Sequence, residues 1–583
     1  MSISFALDSF KILYLAVSVF AWLMMGLFSP RYMAHYENKK RFLVFTLITF
    51  LSTLGVFFAG DLCTLFLFFE MMSLASYVWV SQDEKPESLR AGDTYMAVAV
   101  IGGLVLFLGI VLLYSQTKTL ELSALKEAFM ESGMSQTKKA FISGLLIFGF
   151  GAKAGAFPLH IWLPKAHPVA PAPASALLSG ILTKTGVYGI ILVSYSLSFG
   201  IEKGLGFTLL IISLLTMVTG AILAVFSTNL KRTLASSSVS QIGFILTGVS
   251  VYILSLGEGS LALSGSALHM VNHSLIKLVL FFIAGVIYQN LHELELDKLR
   301  GYGKNKPFLM VTFLLGLLGI GGIPFFNGYA SKTMIHEGLI EIKSLSPVFI
   351  GISEWIFLIS GGLTLAYMLK IFVCIFIEEN KDLSLMEKYK KKDNYMSTGQ
   401  KISIIIPAAL IPIIGFFPGK LGLNLADRAV SVYKTLSFSE EISFFSFESL
   451  KGALISILIG ILLYFLIIRA DEKKHGYRNL WPQRLDIENE IYRPFLLKLL
   501  PGFFGFIFSI LDKPVDFLGD FLSKTVYKPK VQSDKGRKMI KKGFIFMQEK
   551  ENIIRTLSFG LMLACIGMFI ILLYLMYSVF STL

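Results

Sequence analysis

Apolar residues dominate the chain in long uninterrupted runs such as FLVFTLITFLSTLGVFF at 42–58. Runs of about 18 or more apolar residues read as membrane-spanning helices. They do not alternate as the roughly 10-residue strands of a membrane β-barrel would. The pattern predicts spans over 10–29, 41–60, 61–80, 94–116, 139–164, 173–199, 205–228, 233–255, 260–288, 308–343, 350–377, 402–418, 451–469 and 554–580. That is about 14 helices, with 308–343 counted as one interrupted span. The predicted class is an all-α polytopic membrane protein.

Two spans are interrupted in the same way. In GFGAKAGAFPLHIWLPKAHPVAPAP, Pro158, Pro164, Pro168, Pro171 and Pro173 follow an apolar helix containing Lys153. In LGIGGIPFFNGYASKTMIHE, Gly321, Gly322, Pro324 and Gly328 break a helix that resumes around Lys332. Proline removes a backbone donor and clashes with the preceding turn. A broken helix in a membrane is tolerated only where protein or water satisfies the freed groups. Taken as two units of five spans, 41–199 and 205–377, each unit breaks its fourth helix. An odd number of spans per unit predicts that the second is inverted relative to the first. Broken helices at matching places in inverted repeats point to a transport site.

The expected organisation is an N-terminal span (1–40), the two five-helix units, two additional spans (378–470), an interfacial amphipathic lateral segment (471–553) and an anchoring span (554–583). Within the lateral segment, LDIENEIYRPFLLKLLPGFFGFIFSILDKPVDFLGDFL mixes large apolar residues with Asp512, Lys513, Asp516 and Asp520. This fits a helix lying along the membrane surface. The competing reading makes 495–511 a span, against which Lys498 and Pro501 argue. The first apolar run lacks a basic leader and a small-residue cleavage site, so it reads as the first span.

Composition sharpens this picture. The 583 residues are 54% hydrophobic and 16% charged, below the roughly 25% charged of soluble domains. A water-soluble enzyme and a disordered chain are both excluded. The net charge of +14 sorts by loop: with the N-terminus outside, about 37 Lys and Arg fall on the inner side and about 11 outside. The charge therefore orients the chain, with both termini on the outer side of a prokaryotic cytoplasmic membrane, and is no footprint of nucleic acid. Cys63, Cys374 and Cys565 lie in separate apolar runs without cluster spacing, so they read as small core residues. No cofactor or metal is expected in this chain.

Charges in mid-span carry the chemistry. Glu70, Lys153, Lys184, Lys277 and Lys332 all fall in or beside apolar stretches. Each costs at least about 2.5–3.5 kcal/mol at a bilayer centre. Ion pairs that fix helix register are one reading, above all for Glu70. Yet four lysines cannot all pair with one carboxylate, so some must be neutral part of the time or meet water, as a proton relay requires. His269, His273 and Lys277 recur every fourth residue on one helical face. They read as satisfied core histidines or as a polar path; the HxxxH spacing lacks the acid of a metalloprotease site. His160 and His167 flank the first break, to help proton uptake or to cap a turn. Lys370 snorkels or joins the relay. Ser179 near Lys184 fits a wet interior or small-residue helix packing.

The stretches FFEMMSLASY, GAKAGAFPLHIWLPKAHPVAPAPASALLSGILTKTGVYG, KRTLASSSVSQIGF and ALHMVNHSLIKLVLFFIAG resemble the antiporter-like membrane subunits shared by respiratory complex I, Mrp-type cation/proton antiporters and membrane-bound energy-converting hydrogenases. The resemblance covers roughly 60–380. It implies a Glu–Lys pair at Glu70 and Lys153, a central lysine at Lys184, a connecting Lys277 with His269 and His273, and a terminal lysine at Lys332. A lysine at that last position resembles the distal complex I-type subunit, whose lateral helix the tail also resembles. Fewer spans precede the Glu70 helix than in full-length relatives, which leaves contacts on that flank open.

The expected function is translocation of protons, or Na+, by a subunit of a redox-driven membrane complex of the complex I or hydrogenase kind, beside other membrane subunits. Protons would pass from Lys153 through Lys184 and Lys277 to Lys332. The alternatives are a subunit of an Mrp-type Na+/H+ antiporter without a redox partner, and a structural brace of the membrane arm. The redox chemistry, if any, would belong to partner subunits.

Overall fold

The computed structural model describes residues 3–256, 260–380, 394–433 and 442–479, with isolated residues between 382 and 389 and between 486 and 499. The chain divides into two compact units, Ser2–Leu480 and Trp481–Leu583. Only isolated residues of the second are described, so most of the expected lateral segment and the whole 554–583 anchoring span lie outside the described residues.

The first unit is helical throughout, and among the described residues three isolated bridges, such as Asn229 with Glu295, are the only β pairing. Helix α1 (Ser9–Tyr32) precedes α2 (Lys39–Phe58), α3 (Leu62–Val80) and α4 (Pro86–Thr117). After the short α5 (Leu125–Glu131) come α6 (Gln136–Ala154), α7 (Trp162–Val169), α8 (Ala172–Leu177) and α9 (Thr183–Ser196). The second five-span set is α10 (Glu202–Phe226), α11 (Leu230–Leu254), α12 (Ser260–Leu291), the single turn α13 (Leu296–Leu299), α14 (Pro307–Gly321), α15 (Asn327–Glu341) and α16 (Pro347–Phe376). Helices Thr398–Phe416, Phe447–Leu463 and Arg469–His475 follow.

Local chemistry sets these limits. The Asp61 carboxylate caps α3 and Asn229 caps α11 by accepting their first amides. Pro86, Pro307 and Pro347 open α4, α14 and α16, where the missing N–H costs nothing. α4 starts at Pro86 rather than near 94, because its polar first turns still continue the helix. α6 and α14 both stop at a left-handed glycine, Gly155 and Gly322. Both expected breaks are therefore present, at the fourth helix of each set.

Twelve helices among the described residues are long and apolar enough to cross a membrane, and α14–α15 matches the interrupted tenth span. The most apolar windows of α8–α9, α11 and α12 are wholly buried, whereas that of Phe447–Glu472 is 11% buried. The polar candidates therefore lie at the centre of the bundle. One end of it carries the basic loops: Arg41 pairs with Glu84, Leu230 N–H donates to Leu294 O and Lys370 reaches Ser227 O. This is the basic end of the bundle.

At that end Arg300 meets Asp297, Glu378 and Glu472, tying α13, α16 and Arg469–His475 together. Arg469 bridges the same two glutamates. The Glu378 and Glu472 side chains are 6% and 7% exposed, so an unpaired carboxylate there is poorly solvated. Arg300→Ala is expected to cost about 2 kcal/mol, read as a lower melting temperature in detergent, and Arg300→Lys should recover only part, since one ammonium cannot reproduce the fork.

Candidate functional site

The first charged pair is built by α3, α4 and α6. Glu70 is buried on α3 and its Oε1 has no hydrogen-bond partner. It fits because α4 presents Gly103, where a Cβ would stand 2.6 Å from that oxygen. Lys153, in the last turn of α6, donates to Tyr95 Oη at 2.5 Å. Tyr95 Oη and Ser76 Oγ are 2.6 Å apart. No ion pair within 4.0 Å joins Glu70 to Lys153. The two charges stay within electrostatic reach, and Tyr95 is the direct partner of the lysine.

Lys184 stands on a feature that hydropathy did not announce. Residues Leu178–Leu182, between α8 and α9, form a π-helical turn. Its wider hydrogen-bond spacing frees carbonyls from the helix ladder. Ser179 O accepts from Lys184 Nζ at 2.7 Å and from Thr183 Oγ1 at 2.9 Å. Gly180 O accepts from Ser274 Oγ of α12 at 2.5 Å. Ser179 itself uses its hydroxyl to reach Ser238 of α11 at 2.6 Å. The Lys184 ammonium also contacts His273 Nδ1.

From there polar groups continue along one face of α12. The rings of His273 and His269 are 6.4 Å apart, and His273 Nε2 has no partner. His269 contacts Ser331 Oγ of α15 at 2.8 Å and Gln241 Oε1 of α11 at 3.0 Å. One turn beyond Asn327, Lys332 reaches back across the break to Ile320 O at 2.9 Å. Its ammonium lies 4.5 Å from the centre of the Phe244 ring. Beside it is a cavity of about 30 Å³ lined by Gly322, His336 and Ser456 among others, room for about one water. His336 then lies 3.7 Å from Glu354.

Lys277 sits one turn nearer the basic end than His273. It donates to Leu234 O at 2.8 Å and contacts Ser237 Oγ, both on α11. The direct partner of Lys184 is thus His273, and Lys277 stands to one side of the Lys184–Lys332 line. His160 is buried against the Phe157 ring, 5.7 Å between centres. His167 is fully buried, stacked on Phe281 at 4.9 Å, and neither ring nitrogen has a partner. Lys370 turns its buried ammonium to the basic end, where it takes Ala224 O, Val225 O and Ser227 O at 3.1, 2.6 and 2.7 Å. A lysine at a helix C-terminus satisfies carbonyls that the helix leaves open, and here it caps α10.

Sequence reasoning passed over Tyr95, Ser331 and Lys231, whereas Gln241 stands with the serines at the start of the eighth span as part of a wet interior. Lys231, at the start of α11, is 1% exposed and donates to Ala170 O at 2.8 Å. A lysine at the end of an apolar run ordinarily reads as an interface residue, so hydropathy gave no signal. Among the described residues no three His, Cys, Asp or Glu converge as a metal-holding group.

Residues 59–358 match the family described as NADH:quinone oxidoreductase/Mrp antiporter, TM. The chain is 31% identical over 380 residues to hydrogenase-4 component B of Escherichia coli (strain K12), covering 63% of this chain and 56% of that protein. It is 30% identical over 400 residues to an Na(+)/H(+) antiporter subunit of Alkalihalophilus pseudofirmus, covering 67% and 76%. With NAD(P)H-quinone oxidoreductase chain 4 2 of Trichodesmium erythraeum it shares 32% over 353 residues, covering 59% and 60%. In fold it is similar to a chain of the Mrp complex from Dietzia sp. DQ12-45-1b, with a TM-score of 0.72, 20% identity and coverage of 91% and 57%. It is also similar to a chain of the membrane-bound sulfane sulfur reductase, an archaeal respiratory membrane complex, with a TM-score of 0.65, 23% identity and coverage of 78% and 86%. The matched region holds both helix breaks and every buried lysine of the expected relay. This integral membrane protein belongs to the NADH:quinone oxidoreductase/Mrp antiporter transmembrane family.

Proposed function

We propose that the chain is a proton-translocating, antiporter-like subunit of a multisubunit redox-driven membrane complex, with Na+ as the other candidate ion. The observation that carries this is the buried polar line from Lys184 through His273 and His269 to Ser331 and Lys332. It joins the π-turn between α8 and α9 to the second broken helix inside the best-buried part of the bundle. Burying such groups is costly and is repaid at ion pathways. In this reading Lys153 loads Lys184 under the influence of Glu70, the two histidines carry the proton along α12, and Lys332 releases it past His336. The gap between the histidine rings is crossed by a water or by ring rotation at the free His273 Nε2. The basic end faces the inside of a prokaryotic cytoplasmic membrane and both termini face outward.

The likeness to hydrogenase-4 component B and to an NAD(P)H-quinone oxidoreductase chain supports a redox-driven assembly, in which electron transfer belongs to partner subunits. Gentle purification of the native complex and identification of its subunits checks this. Hydrogenase or quinone-reductase subunits are expected; a set of small antiporter subunits alone would replace the reading with the Mrp type. The ion is read in proteoliposomes: a ΔpH that forms without Na+ and collapses with a protonophore supports H+.

Tyr95→Phe removes the hydroxyl on which the Lys153 ammonium rests. It should slow translocation about tenfold to a hundredfold, the cost of one hydrogen bond to a charged group, with assembly intact. A rate equal to wild type would take Tyr95 out of the route.

A further inference from the structure

The relay described above needs an inlet, and the polar line from Lys184 to Lys332 does not itself reach the basic end. A pocket of about 390 Å³ opens there between the α1–α2 loop, the α3–α4 loop and the end of α12. Tyr36, Asp83 and Tyr288 are among its lining residues. Asp83 is only partly exposed and its Oδ1 is buried without a hydrogen-bond partner.

Behind the pocket lies Lys231. Its ammonium sits 5.2 Å from the centre of the Tyr288 ring and is held by Ala170 O at 2.8 Å. It is within electrostatic reach of Asp83. Further in is His167, with both ring nitrogens unpaired, in a position where it feels Lys231, Lys277 and Lys184 together. The Phe281 ring on which His167 stacks also carries the Lys277 ammonium, 5.9 Å from its centre. Four elements, the α3–α4 loop, α11, α7 and α12, thus bring unpaired or carbonyl-held titratable groups together behind the pocket. A fully buried imidazole without partners is a costly feature. As a pure packing residue His167 would be better replaced by an apolar ring.

We propose that the pocket floored by Asp83 is the proton inlet from the basic side, and that Lys231 and His167 pass protons from it to Lys277 and Lys184. The proposal rests on the proton-translocating reading and adds a second branch, separate from Lys153. Each step is a transfer of one proton. Asp83 takes it from water, Lys231 takes it from Asp83, and His167 accepts it on one ring nitrogen and releases it from the other towards Lys277 or Lys184. This gives Lys277, which stands beside the Lys184–Lys332 line, a place as the junction of the inlet. Tyr36 and Tyr288 wall the pocket and keep Asp83 reachable by water.

The test uses the assembled complex in proteoliposomes, with Lys184→Ala as the reference for loss of the relay itself. Lys231→Met and Asp83→Asn should each lower proton translocation at least tenfold, with subunit assembly and melting temperature close to wild type. Asp83→Glu should recover part of the rate, whereas Lys231→Arg should stay as slow as Lys231→Met, because guanidinium keeps the charge and contacts but cannot pass a proton on; a merely structural Lys231 would be rescued by Arg. In a cysteine-free background, Glu37→Cys at the pocket should become sensitive to a membrane-impermeant thiol reagent applied from the basic side, with transport blocked, and insensitive from the other side. If Lys184→Ala abolishes transport while Lys231→Met and Asp83→Asn stay within twofold of wild type, the inlet is overturned and the relay stands. If Lys184→Ala has no effect, the translocation reading fails first. Should the Met variant not assemble, the thiol block decides alone: transport that survives modification from the basic side overturns the inlet.

Discussion

Lys184→Ala should abolish ion translocation through this subunit while leaving the chain folded. The ammonium is completely buried and holds three positions together: Ser179 O on the π-turn, Thr183 Oγ1, and His273 on α12. Alanine removes the titratable group that joins the first unit to the histidine pair, and no other described side chain contacts His273 Nδ1. A buried lysine is costly to ionise, so its deletion relieves a burden as well as breaking contacts. Ser179 O keeps the Thr183 hydroxyl at 2.9 Å, and Ser179 Oγ keeps Ser238. The expected melting temperature therefore lies close to wild type, which separates loss of function from loss of fold. The measurement is the proton stoichiometry of the assembled complex in proteoliposomes. Full stoichiometry in the Ala variant would remove Lys184 from the path. Lys184→Arg should restore little, because guanidinium stays charged in proteins and cannot load and unload a proton.

Much of this was legible in the sequence because a bilayer imposes a coarse code. Apolar length set the spans, and Pro and Gly within two of them set the breaks. The charges at Lys184, Lys277 and Lys332 stood out against apolar neighbours. What stayed hidden depends on contacts that no period encodes. The π-turn at Leu178–Leu182 reads as ordinary helix, yet it frees the carbonyl that seats Lys184. Tyr95 is one of 22 tyrosines, and only the packing of α4 on α6 brings its hydroxyl to Lys153. Glu70 and Lys153 were expected as a pair and stay within electrostatic reach, but that the carboxylate packs on Gly103 and the lysine donates to Tyr95 follows only from the packing. Lys231 and Lys370 are both held by carbonyls at helix ends in the buried interior. Sequence placed them at span ends, and the depth of those ends is set by neighbouring helices. The register of Lys277 likewise followed from the α11–α12 contact, which turned it towards Leu234.

Gly328→Ala should be the most damaging single methyl in the second broken helix. The residue lies in the first turn of α15, and a Cβ there would stand 1.9 Å from Gly319 O, a backbone atom of α14. No side chain can swing aside to relieve that overlap, so one helix segment must move. Both segments are pinned. Asn272 of α12 donates to Asn327 O at 2.7 Å. Lys332 ties the end of α14 to α15 through Ile320 O. Between them the chain already passes through two left-handed residues, Gly322 and Phe325, with φ of 73° and 71°, leaving little backbone freedom. The cost is expected at or above the upper end of the usual overpacking range, about 3 kcal/mol or more, read as a large fall in melting temperature in detergent. Gly351→Ala is the control, since a Cβ in that part of α16 meets nothing within 4 Å. It should be neutral or stabilise by up to about 1 kcal/mol through helix propensity. Because Lys332 hangs on Ile320 O, the carbonyl next to the Gly319 O that Gly328→Ala would displace, surviving complex should also translocate poorly. Equal melting temperatures for the two variants would mean that α14 and α15 do not approach this closely, and the seat of Lys332 would have to be redrawn.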